Sequence, residues 1–165
     1  MPVRPSKLWK DLAVETRQLA AEAFWRDEDS ENIVAQHFEA LMAIARRMNF
    51  RMKSVQSLPI ERRAKQLAMM SDVSDAVATR ALIAYHFANQ RPLMAAFLDG
   101  LGIAHENGLI TAEQVPTPTG EQIDATIKAL RAAYPDGVVE LYLRTLAAMD
   151  GDTWAVLESH LPLSH

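Results

Sequence analysis

The sequence has no cysteine, which excludes disulfide frameworks, thiolate metal sites and cysteine nucleophiles. It has no long apolar run either. Runs such as Ala81 to Tyr85 and Leu93 to Leu98 fall far short of the roughly 20 residues that a membrane span requires. The stretch from Met1 to Lys10 is polar and basic and no apolar segment follows it, so a secretory signal is not expected. Glycine is scarce, with 6 among 165 residues, and no glycine-rich phosphate loop can be assembled from so few. Gly100-Leu101-Gly102 begins a G-x-G, but His105 stands where the third glycine belongs, and the segment follows a helix rather than a strand. A P-loop and a G-x-S-x-G nucleophile elbow are both missing. Alternation of period two, the mark of a half-buried strand, is nearly absent.

What is present is ordinary globular material: 49% apolar and 23% charged residues, in a length that suits one domain. A cytoplasmic protein, not a membrane protein, is the expectation. Apolar spacings of three and four predict an all-α fold, an irregular array of about seven helices joined by short turns in a single compact domain. The first helix opens at Pro5-Ser6 and carries Leu8, Leu12, Leu19 and Ala23. The second, capped by Asp29 or Ser30, is expected to bury Val34, Phe38, Leu41, Ala45 and Met48. Residues 46–57 lose the periodicity and read as a frayed end and a loop. Pro59 starts a third helix through Ile60, Ala64, Leu67 and Ala68. Ser71 or Asp72 begins the fourth, through Val77, Ala81 and Tyr85, and Pro92 the fifth, through Leu93, Phe97 and Leu101.

Gly102 is placed to cap that fifth helix in the left-handed region, with Ile103 folding back onto it. Asn107-Gly108 marks a turn, and Thr111 with Gln114 suggests one short helical turn. Residues 115–119, Val-Pro-Thr-Pro-Thr, must be extended, and they offer an internal boundary before a three-helix segment, 120–165. Thr119 and Gln122 form a capping box for the first helix of that segment. Pro135-Asp136-Gly137 is expected to close it, with helices through Tyr142 and through Trp154 to follow.

No metal site is expected. A di-iron helical bundle needs an acid three residues before a histidine, and Val34, Ile83, Gly102, Leu157 and Pro162 occupy those places. The Asp150-Gly151-Asp152 start of a calcium-type loop lacks the glycine at its sixth place (Ala155) and the glutamate at its twelfth (Leu161). No catalytic residue and no cofactor is assigned. His37, Tyr85 and His86 are candidates for a pocket between helices, although a lone histidine on an apolar face is more often a core residue.

The strongest polar feature is basic. Arg46, Arg47, Arg51, Lys53, Arg62, Arg63 and Lys65 put seven of 17 basic residues within 20 positions, against one acid, Glu61. With Phe50 among them they are candidates for an anionic partner. The chain as a whole is acidic, at −4, so a dedicated nucleic-acid binder is not expected. The charge is also polarised: residues 1–91 carry 14 basic against 11 acidic side chains, and the remainder 3 against 10. Failed motif tests, polarised charge and abundant helical surface favour a non-catalytic helical module that binds a protein partner or a second copy of itself. Two alternatives stay open: a small-molecule binder or enzyme with a pocket between helices, and phosphate-backbone binding through residues 46–65.

Overall fold

The computed structural model describes residues 3–161, and the fold is all-α apart from one two-stranded hairpin. Among the described residues there are ten α-helices and a closing 3-10 helix, where about seven helices were expected. The difference comes from short segments. Leu12 and Ala13 are extended, so the first predicted helix is two, α1 (Pro5–Asp11) and α2 (Val14–Arg26). Neither residue is a helix breaker. The break brings two side chains to one acceptor: the Trp9 indole N–H donates to the Met70 carbonyl at 2.8 Å, and the Arg17 guanidinium donates to it at 3.2 Å.

By the density of its internal packing the chain divides into two units, Arg4–Tyr85 and His86 onward together with Val3. The division falls inside the helix Asp75–Asn89, and the proline-rich segment 115–119 lies within the second unit.

In the first unit, α2 packs most extensively on α5 (Ile60–Met69). Alanine makes this close approach feasible: Ala20 and Ala21 on α2, and Ala64 and Ala68 on α5, are all fully buried. Between them in sequence lie α3 (Ile33–Met48) and the short α4 (Met52–Gln56), which occupies part of the expected loop. α3 has no side-chain cap from Asp29 or Ser30. Its N-terminus follows Asn32, which is left-handed (φ 62°), while the Asp27 carboxylate accepts from the amides of Asp29 and Ser30 at 3.1 Å each. Burial of the Asp27 carboxyl favours its neutral form, but the Ser30 hydroxyl and those amides outweigh burial and hold its pKa below the usual value.

The inner face of α3 is shifted from the expected one. Leu41 and Ala45 are buried as expected, with Ile33, Ala40 and Ile44 beside them, whereas Met48 is half-buried and Val34 and Phe38 are exposed. The helix has apolar residues on two sides, and a period of 3.6 does not say which side the neighbours cover. α6 (Asp75–Asn89) begins behind Ser74, whose hydroxyl accepts from the Val77 amide at 3.2 Å.

The second unit is built from α7 (Arg91–Gly100), the hairpin β1 (His105–Glu106) and β2 (Leu109–Ile110), α8 (Gly120–Ala133), α9 (Asp136–Met149), α10 (Gly151–Trp154) and the 3-10 helix Ala155–His160. Its core is centred on Phe97, Leu98, Ile123, Leu143 and Leu157. The rings of Tyr142 and Trp154 lie 5.4 and 5.6 Å from that of Phe97. Gly102 is left-handed (φ 69°) as expected, with its amide on the Asp99 carbonyl and the Ile103 amide on the Leu98 carbonyl. Both bonds of the Thr119–Gln122 capping box form.

Asn107 and Gly108 both have positive φ (49° and 91°), the two-residue turn that a right-twisted hairpin requires. Thr111 to Gln114 form no helical turn. Pro135, expected to close α8, instead occupies the cap position of α9, whose first turn holds Asp136 and Gly137. α7 and α8 approach so closely that a side chain at Gly100 would meet Thr126 Cγ2 at 2.7 Å.

Candidate functional site

The seven basic residues are divided by the helices that carry them. Arg46, Arg47, Arg51, Lys53, Arg62 and Lys65 are exposed. Arg47, at the C-terminal end of α3, donates to the Gln66 carbonyl at 3.4 Å. Arg63 turns inward, its guanidinium over the Trp25 ring at 5.1 Å from the centroid. Its Nε is buried and has no hydrogen-bond partner among the described residues, and burial draws its pKa below the usual value. Arg63 is thus part of the α2–α5 packing.

The pocket candidates have separate surroundings. His37 sits between aromatic rings, 4.7 Å from Phe24 and 5.1 Å from Trp25, with its Nε2 2.7 Å from the Phe24 carbonyl. With that carbonyl as acceptor, the geometry requires a proton on Nε2. Tyr85 and His86 are buried in α6, and the His86 ring lies 5.4 Å from that of Tyr142. Burial pushes the Tyr142 hydroxyl far above its usual pKa, so it stays protonated at any ordinary pH. Among the described residues, no three of His, Asp or Glu come together as metal ligands. No helix among them is long and apolar enough to cross a membrane. His165, with Pro162 before it, lies outside the described residues.

The outward face of α3 stands out instead. Val34 is 78% exposed and Phe38 55%, one turn apart in the i, i+4 row that continues through Met42 to Arg46. Phe50, also exposed, follows the left-handed Asn49 that ends the helix (φ 54°). Met42 and Arg46, with Glu39, Ala40 and Ala43, line a cavity of about 350 Å³ whose other walls are Leu67, residues 72–74 and Val77. Charge brackets this row. Glu28, Asp29 and Glu31 are exposed before its N-terminal end, and Arg46, Arg47 and Arg51 at and after the other. Among the described residues, Glu28, Asp29, Glu31, Glu39, Arg46 and Arg47 make no ion pair.

Compared with protein-family models, curated proteins and solved structures, the chain matches none. The chemistry of the site therefore rests on its own residues. An exposed valine and phenylalanine beside a groove, with unpaired charges at both ends, can bury apolar area against a partner and orient it.

The sequence signal for this face is the apolar row itself. Val34 and Phe38 fit a helical stripe whether that stripe is covered by this chain or by another molecule. What decides is the position of α5 and α4 against the other side of α3, which sequence periodicity does not carry.

Proposed function

We propose that the chain is a non-catalytic helical interaction module that works in the cytoplasm, and that the outer face of α3 receives its protein partner. The observation that carries this reading is the exposure of Val34 and Phe38 on consecutive turns of one helix. Single exposed apolar residues are common on any surface. A phenylalanine and a valine stacked one turn apart, next to a groove, form a patch whose burial a partner would gain from water. The wild-type chain and Phe38→Glu, each immobilised, should be exposed to an extract of the cells that make the protein. A protein retained by the wild type and lost with Phe38→Glu is expected, this chain's own soluble copy included. Identical retained sets would contradict the assignment.

The cavity at Met42 and Arg46 favours a second reading, a small-molecule site. Its volume is within the range of about 300–1,000 Å³ common to ligand pockets. Ala40, Ala43 and Leu67 give it apolar walls, and Glu39, Arg46 and Asp72 give it charge of both signs, suited to a zwitterion with an apolar body. A specific ligand at 100 times its dissociation constant would add roughly 2.7 kcal/mol of stability, visible in a thermal-shift screen. An Arg46→Ala variant that responds equally would place the ligand elsewhere.

A further inference from the structure

We infer that the occupant of the outer α3 face is a second copy of this chain, docked antiparallel about a two-fold axis at Phe38. The inference rests on the interaction reading above and names its partner. Charge decides the direction. From Asp27 to Arg47 the chain runs acidic, apolar, basic: Asp27, Glu28, Asp29 and Glu31, then Val34, Phe38 and Met42, then Arg46 and Arg47, with one acid inside the run, Glu39, on the wall of the groove. Such a surface is complementary to itself only when reversed.

With Phe38 on the axis, Val34 of one copy meets Met42 of the other. Arg46 and Arg47 reach the level of the second copy's acidic segment at Asp29 and Glu31. Arg46 lies eight residues from Phe38, about 12 Å along the helix. On the other side the helix begins at Ile33, and the acidic segment lies just before it. A parallel arrangement would set acid on acid and base on base, which electrostatics opposes. A two-fold contact of this kind is isologous, so each charged pair occurs twice and the assembly closes at two copies. The charges it would use are exposed, and none of Asp29, Glu31, Arg46 and Arg47 has an ion-pair partner among the described residues. One helix face against its twin is a small contact, so the dimer is expected to be weak and concentration-dependent.

Sedimentation velocity of the whole chain, from micromolar to near-millimolar concentration, tests this. The wild type should sediment faster as concentration rises, and added salt should reduce the effect. Phe38→Glu should remain monomeric throughout. Two charge reversals, Arg46→Glu with Arg47→Glu and Asp29→Lys with Glu31→Lys, should each weaken self-association. Mixed together they should restore it, because each reversed end then faces its opposite. That restoration keeps the test valid even where Phe38→Glu harms folding. A wild type that stays monomeric at every concentration overturns the second copy as occupant, while the capture experiment judges the face independently. A dimer that survives Phe38→Glu, or a mixture no stronger than its components, overturns the antiparallel α3 contact.

Discussion

Single residues carry two of the tighter constraints in this fold. Asp75 accepts from the Arg4 guanidinium through Oδ2 at 3.0 and 2.6 Å, and from the Ser6 amide through Oδ1 at 3.0 Å. These bonds, that to Arg4 first, lower its pKa from 3.8 to about 2. A carboxyl depressed in the folded state stabilises the fold fully above its unfolded pKa. That contribution is lost as pH falls through the interval from 3.8 to about 2. Thermal unfolding followed across this interval should therefore decline more steeply for the wild type than for Asp75→Asn, and matching slopes would contradict the linkage. Gly100 is the second constraint. Gly100→Ala should cost about 1–3 kcal/mol, since Thr126 is buried and has little room to withdraw. Removing the obstacle with Thr126→Ala should recover most of the loss. Urea unfolding of the four variants in that cycle would show no coupling if the two helices were farther apart.

At the scale of elements, the parts legible in the sequence are those fixed by local chemistry. Thr119 and Gln122 are three residues apart and bond each other's backbone, so their pattern is complete without the rest of the chain. Gly102 is similar, and its substitution is informative because a Cβ there would meet nothing within 4 Å. Gly102→Ala should therefore cost roughly 1 kcal/mol from left-handed strain alone. Gly108→Ala should cost more, because Met94 Cβ would also stand 3.0 Å away. Thermal unfolding that left Gly102→Ala unchanged would contradict the cap. The hairpin escaped the periodicity because strands of two residues contain no period to read, although Asn107-Gly108 is itself a hairpin signal. Leu12 and Ala13 give no local sign of a break, and the contacts that accompany it are made far along the chain, at Met70. Of the candidate site, the Val34–Phe38 row was legible as a helical stripe and the charge beside it only as composition. The basic run is visible, but that Arg63 packs on Trp25 while Arg46 stays exposed depends on which helices become neighbours.

For the molecule as a whole, the consequence is a shift of the buried face at α3: Leu41 and Ala45 are inside as expected, and Val34 and Phe38 are not. Val34 and Phe38 look like core by spacing, and the inner face of the same helix fills that role with Ile33, Leu41 and Ile44. The first unit thus closes its core without them, and they remain exposed, as the proposed contact requires. If the face belongs to a partner, the isolated chain does not need it to fold. The most direct measurement is urea unfolding of Val34→Gln/Phe38→Gln beside the wild type, at a concentration low enough that both are monomeric. Stabilities equal to within about 0.5 kcal/mol are predicted, as for surface positions. A loss of about 3–5 kcal/mol, the cost of emptying a buried aromatic site, would mean that Phe38 is part of the core and that the outer face of α3 binds no partner.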